Sequence, residues 1–352
     1  MRKLISLFLL ACLLFAFSAC GTSEGTDPSS QSSGGESVST NTDSSSVSSE
    51  PKKKLTAAEV LASDDYLVGL CDQVNGRIIV CDLAEGDWSD DNAVAWEYKT
   101  PYNNHIAGIK FRHSEYWGGD VVIFCYPGGG EILSYDTKKS LYKTSDIGWN
   151  PHSVELLPDG TFIVASSTDN LVCVFAPGAK DAHQKLEFPN AHGVLWDPKY
   201  EVVWMVGMDQ LSAYRLIRSG EKVTLVADPD MDYRSPQAGM HDLAPVYGDP
   251  DSLFVTCSAG IMRFDKVKEV FDYGYSGGSM GRNATYAPGV GNFANGILVY
   301  TSVVSGQTVY QDWCTNQVHV YVPLGGGRGK KLTLRAPNDA YYKVRVWNTD
   351  YQ

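Results

Sequence analysis

The sequence predicts an all-β protein, a six-bladed β-propeller closed by its C-terminal strand and preceded by a signal peptide and a disordered Ser-rich linker. From about residue 66 onward, short segments rich in β-branched and aromatic residues alternate with turn-forming pairs such as Asn75-Gly76 and Asp159-Gly160. This alternation is typical of a protein built from short strands. Similar segments also recur about every 40–50 residues, which is the period of a propeller with four strands per blade.

The N-terminal segment has the composition of a lipoprotein signal peptide. A basic pair precedes an apolar run from Leu4 to Phe17, and Ser18-Ala19-Cys20 follows it. A basic head, a short apolar stretch and small residues before a cleavage point are typical of secretion signals. The ending resembles a bacterial lipobox, in which Cys20 is lipidated, although an ordinary signal peptide is the alternative. We therefore predict a signal peptide over residues 1–19 and localisation at the cell envelope, lipid-anchored on the outer face of the bacterial membrane.

Residues 20–60 are predicted to be the lipidated cysteine and a disordered linker. Between Gly21 and Glu50, 12 of 30 residues are serine. A segment so poor in apolar side chains cannot offset the entropy cost of ordering. Near its end, Thr56–Glu59 has the pattern of a capping box and predicts a short helix through Leu61. The propeller is then expected to occupy residues 61–352.

Segments that contain histidine mark the repeats within the propeller. His152, His192 and His241 each precede an apolar strand, at spacings of 40 and 49 residues. A looser copy at His105 lies 47 residues before the first of them. The remaining length allows six units, the last beginning near Arg282.

The final strand-like segment, Tyr341–Trp347, has no unit of its own, whereas the first unit is one strand short. We therefore predict that the C-terminal strand joins the first blade and closes the ring. Closure of this kind removes the exposed strand edges that an open array of blades would leave.

Composition limits the partners of the protein. With 41 acidic and 29 basic side chains, the formal net charge is −12, which excludes nucleic acid as the expected partner because phosphate binding needs a basic surface. No apolar run outside the signal approaches the length of a membrane-spanning helix, so we expect membrane contact through the lipid anchor only, and a monomer.

Six cysteines in separate predicted strands are expected to be buried thiols and not disulfides. They are Cys71, Cys81, Cys125, Cys173, Cys257 and Cys314.

The repeated histidines predict a functional site. The first strand of each blade lines the central channel of a propeller, so equivalent residues of successive blades converge. His152, His192 and His241 are expected at one mouth of the channel, and clustered imidazoles are good ligands for divalent transition metals. Glu155 and Asp242 are candidate acceptors that would orient the rings. The alternative is that the histidines only bond neighbouring strands.

Two arginines are further candidates for ligand binding, together with His105. Arg282 and Arg345 start or lie within predicted inner strands, where a guanidinium group would bind a carboxylate, sulfate or phosphate. Their alternative is an ion pair with an acidic residue of another blade. Three aromatic residues could stack on sugar rings, although packing in the core is the alternative role. These are Trp149, Trp196 and Tyr233.

Other motifs exclude common chemistries. Gly325–Lys331 is rich in glycine and basic residues but lacks the spacing of a phosphate-binding loop, so we expect an exposed loop there. The sequence also has no Gly-x-Ser-x-Gly elbow and no His-Glu-x-x-His helix. A serine hydrolase or a zinc protease is therefore not expected.

Four segments resemble a family of uncharacterised bacterial secreted six-bladed propellers, a domain of unknown function. They are Cys71–Val80, Pro151–Gly160, Ala191–Pro198 and Tyr341–Trp347. The resemblance implies the fold but no activity. A more distant similarity, to propellers of the oligogalacturonate-lyase type, implies a divalent metal held by His152, His192 and His241, with Gln237 or Asn283 as a further ligand.

The predicted function is therefore that of a cell-surface lipoprotein whose propeller binds a small anionic or carbohydrate-like ligand at the channel mouth. A His/Arg cluster would bind the ligand, and a divalent transition metal is the candidate cofactor. Two alternatives remain open at this point. One is an enzyme, a metal-assisted lyase acting on uronate polysaccharide, and the other is a non-catalytic platform for protein interactions.

Overall fold

A computed structural model describes residues 55–102, 105–272, 286–303 and 309–352. The folded unit spans Lys53–Gln352. The predicted signal peptide, Cys20, most of the predicted linker, Arg282 and Asn283 lie outside the described residues.

Six four-stranded antiparallel sheets form the blades, so the predicted β-propeller is confirmed. The innermost strands of the six blades contact one another in a closed ring around the channel. Blades 2 and 3 consist of β4 (Ile109–Ser114), β5 (Gly119–Tyr126), β6 (Gly129–Ser134), β7 (Ser140–Thr144), β8 (Pro151–Leu156), β9 (Phe162–Ser166), β10 (Leu171–Phe175) and β11 (Gln184–Glu187).

The remaining blades follow the same order from the channel outward, except that blade 1 takes its inner strand from the C-terminus. Blades 4 and 5 consist of β12 (Ala191–Asp197), β13 (Val202–Gly207), β14 (Gln210–Ser219), β15 (Lys222–Arg234), β16 (Asp242–Pro245), β17 (Ser252–Cys257), β18 (Gly260–Asp265) and β19 (Val270–Asp272). Blades 6 and 1 consist of β20 (Gly289–Asn292), β21 (Leu298–Thr301), β22 (Gln317–Gly325), β23 (Arg328–Arg335), β24 (Tyr341–Val346), β1 (Leu67–Asp72), β2 (Arg77–Asp82) and β3 (Val94–Lys99).

The ring closes as the sequence predicts. Strand β24 pairs antiparallel with β1, with Val68 opposite Val346 and Leu70 opposite Val344. The first unit of the sequence is one strand short because its inner strand is supplied by the end of the chain. The two ends of the folded unit are thereby joined in one sheet.

Apolar side chains between and within the blades form the core. Strands rich in Val, Ile and aromatic residues are buried on both faces, as in β13, where all six residues are buried. Each fully buried large apolar side chain contributes about 1.5–3 kcal/mol. The six cysteines named above are free and buried, which agrees with the expectation of thiols that pack as small apolar groups.

The single helix among the described residues, α1 (Ala57–Leu61), begins with the predicted capping box. The Thr56 side chain accepts a hydrogen bond from the Glu59 backbone, and the Glu59 carboxylate accepts one from the Thr56 N–H. Buried Ala57 and Leu61 pack on the apolar cluster that includes strands of blades 1 and 6. No helix in the described ranges is long and apolar enough to cross a membrane.

The sequence-based prediction of an exposed loop over residues 325–331 was partly wrong. Gly326 and Gly327 form the turn of a hairpin, with φ values of 59° and 70° that glycine adopts without strain. Arg328–Lys331 belong instead to β23. This stretch lacks apolar residues because β23 is the outermost strand of its blade, where exposed basic residues protect an edge from pairing with other chains.

Candidate functional site

One end of the central channel opens into a cavity of about 510 Å³. Its wall comes from the starts of the inner strands and from the loops that precede them. We call this space the mouth cavity. Its lining includes Gln73, His105, Trp149, His152, His192, His241, Tyr286, Trp313 and Tyr342.

Local backbone irregularities place three of these side chains in the cavity. His152 and His192 are each the extra residue of a β-bulge, since the pairing shifts between Pro151 and Ser153 and between Ala191 and Gly193. Strand β24 has a similar shift, where Tyr342 and Lys343 lie opposite the single residue Cys71. A bulge turns a side chain away from its normal direction and is common beside binding sites. The same device therefore recurs in three inner strands at the same end of the channel.

The three repeated histidines are in contact. The ring centroids of His152 and His192 lie 4.4 Å apart, those of His192 and His241 also 4.4 Å, and those of His152 and His241 6.0 Å. The Tyr342 ring lies 5.6 Å from His152 and 6.1 Å from His241. Residues 40 and more positions apart in sequence thus form one cluster, which we call the histidine cluster.

Backbone carbonyl groups orient two of the rings. The Nδ1 atom of His152 lies 2.9 Å from the Asn150 oxygen, and that of His192 lies 2.8 Å from the Asn190 oxygen. The Nδ1 atom of His241 lies 3.3 Å from the Tyr342 hydroxyl. The expectation that Glu155 and Asp242 would orient the rings was wrong, because both carboxylates are held by cations deeper in the channel.

Two groups of buried ions lie below the histidine cluster. Glu155 accepts hydrogen bonds from Lys110 at 2.8 Å and from Arg112 at 2.8 and 2.9 Å. In the second group, Asp242 accepts from Lys343 at 3.0 Å and from Arg345 at 2.6 Å. Four cations thus share two carboxylates, and the channel is net positive beneath the mouth.

Burial and this positive charge keep the histidines neutral. Burial lowers the pKa of His192 to about 4, and the nearby Lys343 also lowers it. The pKa values of His152 and His241 lie well below the usual value, first because of burial and then because of His192 and Lys343. The Lys343 ammonium is 3.3 Å from the carbonyl oxygens of both His192 and His241.

The rim of the mouth carries exposed and strained residues. Trp149 is 82% exposed although it lines the cavity. His105 and Tyr286 have φ values of 67° and 50°, in the left-handed region that non-glycine residues rarely adopt. Strained backbone of this kind is concentrated at functional sites. The His105 ring lies 5.8 Å from Trp313, so a fourth histidine reaches the same cavity.

The far end of the channel is covered by the C-terminal tail, residues 347–352. The Tyr351 hydroxyl donates to the Leu156 carbonyl at 2.7 Å, and its ring lies 4.6 Å beneath the Arg112 guanidinium. Tyr247 donates to the Asp350 carbonyl at 3.0 Å. Only about 20 Å³ of space remains beside Arg112 and Arg345 at this end. The channel is therefore accessible from the mouth.

Most of the other candidate residues lie outside the mouth cavity or are bonded within the protein. Arg345 does lie in the channel, but its guanidinium group is paired with Asp242, which is the ion-pair alternative left open by the sequence. Gln237 is exposed and is not among the residues that line the mouth cavity. Trp196 packs against a core cluster, and Tyr233 lies on the outer strand β15, 4.8 Å from Phe264. Of the three aromatic candidates, Trp149 alone lines the mouth.

A second cavity of about 440 Å³ lies beside blade 1. Its main charged groups satisfy one another. Arg77 pairs with Asp72 at 2.8 Å, with Asp91 at 2.7 Å and with Asp339 at 3.0 Å. This network joins the C-terminal segment to β2 and needs no ligand, so the mouth cavity is the stronger candidate site.

Sequence reasoning missed Tyr342 and the two asparagines that orient the rings, although both left a signal. Asn150 and Asn190 stand two residues before His152 and His192, a repeated Asn-x-His pattern. Tyr342 occupies in β24 the bulge position that the histidines occupy in β8 and β12. Aligning the closing strand with the repeated segments would have identified it.

Comparison with known proteins supports the fold and assigns no activity. Among curated proteins, none is significantly similar to this chain. A protein of unknown function from Bacteroides caccae superposes with a TM-score of 0.54 and 11% identity, over 81% of this chain and 100% of that one. A candidate 6-phosphogluconolactonase from Bacteroides uniformis gives 0.50 and 12%, over 78% and 84%. A functionally unknown protein from Desulfotomaculum acetoxidans gives 0.51 and 10%, over 82% and 90%.

The sequence itself matches a described family in part. The match covers residues 116–273, from the second strand of blade 2 through the end of blade 5. It includes His152, His192 and His241. The predicted resemblance to uncharacterised propellers is thereby confirmed, and the chain is a six-bladed β-propeller whose residues 116–273 match the family of unknown function DUF6528.

Proposed function

We propose that the protein binds a small anionic or sugar-like ligand in the mouth cavity. The observation that carries this proposal is the histidine cluster, in which two residues at β-bulges and one residue just before β16 meet in a channel open at one end. A volume of about 510 Å³ is within the range of small-molecule sites, about 300–1,000 Å³. The positive charge beneath the cluster favours a ligand with an anionic group.

The roles within the site follow from the geometry. His152, His192 and His241 contact the ligand from the floor of the cavity, and Trp149 offers an exposed aromatic face at the rim. Lys343 and Arg345 do not reach the ligand, because both are buried and bonded to Asp242. They act through their charge, so the predicted His/Arg cluster becomes a histidine site above buried ion pairs.

A divalent transition metal held by the same three histidines is the second occupant to be tested. Zn–N bonds of about 2.0–2.1 Å in tetrahedral geometry would place imidazole centroids about 5 Å apart. The observed separations of 4.4, 4.4 and 6.0 Å would require the rings to turn. Among the described residues, no group of three or more His, Cys, Asp or Glu side chains is placed to hold a metal ion. Lys343 beneath the cluster also opposes a cation.

Thermal unfolding in the presence of small ligands tests the site. Sugars, sugar acids, sugar phosphates, Zn²⁺ and Mn²⁺ are added singly to the wild-type protein and to a triple variant, His152→Ala/His192→Ala/His241→Ala. We expect at least one of the sugar-derived compounds to raise the Tm of the wild type, because binding to the folded state alone stabilises it. The triple variant should lose this increase. An increase with Zn²⁺ or Mn²⁺ alone would favour the metal instead.

An exposed histidine supplies the matched control. His113, whose side chain is 60% exposed and bonded to Asp120, lies outside the mouth, and His113→Ala should keep the full increase in Tm. An increase that survives in the triple variant would place the ligand elsewhere. No increase with any compound in the wild type would contradict the proposal itself.

We further propose that the propeller is displayed at the cell envelope through a lipid on Cys20. The basic head, the apolar run and the Ser-Ala-Cys ending support this proposal. Cys20→Ala should move the protein from the membrane fraction to the soluble fraction. The variant cannot carry the acyl chains, and two or more chains are needed for stable anchoring. A wild-type protein whose Cys20 carries no acyl chains, as measured by mass spectrometry, would contradict lipidation at this position.

A further inference from the structure

The hydrogen bonds of two histidines indicate which ring nitrogen carries the proton and which is an acceptor. A carbonyl oxygen has no proton to donate, so in each bond to Asn150 or Asn190 the Nδ1 atom must be the donor. The Ser167 hydroxyl also lies 3.1 Å from Nδ1 of His152 and itself donates to the Asn150 oxygen, so it is a second acceptor for the same N–H. A neutral imidazole has only one N–H, and its Nε2 atom is then an acceptor. Within the described part of the chain, the Nε2 atoms of His152 and His192 have no hydrogen-bond partner. Both residues line the mouth cavity, where a ligand would meet them.

The surroundings keep these atoms in the acceptor form. Protonation of Nε2 would add a charge to a buried cluster above Lys343, whose ammonium group already lies 3.3 Å from the His192 carbonyl oxygen. Burial and the neighbouring charges lower the pKa of both histidines, as described above. An anion without hydrogen-bond donors would therefore meet two lone pairs on the floor of the cavity.

The ligand must satisfy two conditions at once. Its part nearest to the floor must donate hydrogen bonds to the Nε2 atoms, as hydroxyl groups do. The ligand should carry a net negative charge, because the four cations and two carboxylates beneath the floor leave a net positive charge there. Trp149, 82% exposed at the rim, adds an apolar face suited to the C–H face of a sugar ring.

We propose, on the basis of the function proposed above, that the mouth selects a polyhydroxylated carboxylate, a sugar acid, whose hydroxyl groups donate to Nε2 of His152 and His192. The two histidines thereby distinguish a sugar acid from a simple carboxylate of similar size. The buried cations favour the acid over the neutral sugar, and Trp149 supports the ring.

Isothermal titration calorimetry with matched ligands tests this selectivity. The probes are D-glucuronate, its 2,3,4-tri-O-methyl derivative, D-glucose and succinate. We expect glucuronate to bind at least tenfold more tightly than the methylated derivative and succinate, because sites built to bind hydroxyl groups discriminate strongly against analogues that lack them. Glucose should bind more weakly than glucuronate, since it lacks the carboxylate.

Single variants separate the contributions. His192→Ala should weaken glucuronate binding at least tenfold and bring its affinity close to that of the methylated derivative. Trp149→Ala should weaken all sugar ligands but keep the preference for free hydroxyl groups. His113→Ala, outside the mouth, should bind as the wild type does. Circular dichroism of each variant verifies that the fold is retained.

Three outcomes would overturn the inference. If succinate binds as tightly as glucuronate and loses affinity in His192→Ala, the mouth is a general anion site, and the proposed function stands without the selectivity. If Zn²⁺ or Mn²⁺, titrated as further probes, binds with one ion per chain and this binding is lost in His192→Ala, the acceptors hold a metal instead. If no probe binds while another small ligand stabilises the protein through the histidine cluster, the sugar-acid class is wrong and the site remains.

Discussion

Deletion of residues 340–352 is expected to abolish folding. These residues provide the inner strand of blade 1, and Tyr341, Tyr342, Val344 and Val346 are each at most 4% exposed. At about 1.5–3 kcal/mol for each buried large side chain, their loss alone is comparable to the whole stability of a typical domain, about 5–15 kcal/mol. The deletion also leaves Asp242 without Lys343 and Arg345, and it exposes the edge of β1.

A shorter deletion is the matched control. Removal of residues 350–352 keeps β24 and breaks the contacts of the tail with Leu156, Arg112, Tyr247 and Lys266. This variant should fold and unfold cooperatively at a lower Tm, as measured by circular dichroism. A soluble form of the longer deletion that melts cooperatively would contradict ring closure by the C-terminal strand.

The substitution Asp242→Ala is expected to destabilise the protein by about 3–5 kcal/mol, the cost of leaving buried charges without their partner. Asp242 is fully buried and holds both Lys343 and Arg345. Removing its carboxylate leaves two cations together in the channel. Chemical denaturation measures the loss, and Asp209→Asn provides the control because its pair with Arg234 is exposed. Such surface pairs contribute about 0–1 kcal/mol.

Acid should produce the same loss in the wild type. Burial alone would raise the pKa of Asp242, but Arg345 and Lys343 lower it to about 2, and Arg112 and Lys110 likewise lower the pKa of Glu155 to about 2. In the unfolded chain these groups titrate near ~4. The stabilisation by these two carboxylates is therefore complete above about pH 4 and is lost as the pH falls toward 2.

An equal loss of stability in Asp242→Ala and in Asp209→Asn would contradict the role of the buried ions.

Much of the architecture could be predicted because a propeller repeats its signals. Equivalent histidines marked three inner strands, and a unit with a missing strand at one end matched an extra strand at the other. Once the blades were placed in order, the meeting of His152, His192 and His241 followed from the geometry of a ring. These features depend on the pattern of the whole chain and not on details of any one contact.

Contacts between inner strands were harder to predict. Asp242 stands beside His241 in sequence, yet its side chain points to Arg345 and Lys343 on β24, because alternate residues of a strand face opposite directions. The Glu155 carboxylate is likewise bonded to Lys110 and Arg112 and not to a histidine. The bulges at His152 and His192 arise from one extra residue in the pairing of two strands, and no simple residue pattern predicts them. The closing of the far end by Tyr351 depends on a tail that belongs to no repeat.

The central claim is that the histidine cluster is the ligand site, and calorimetric titration of the triple histidine variant tests it most directly. The ligand that raises the Tm of the wild type is titrated into the wild type, into His152→Ala/His192→Ala/His241→Ala and into His113→Ala. We predict binding of one ligand per chain in the wild type and in His113→Ala, and no measurable binding in a triple variant that remains folded. Unchanged affinity in the folded triple variant would contradict the account.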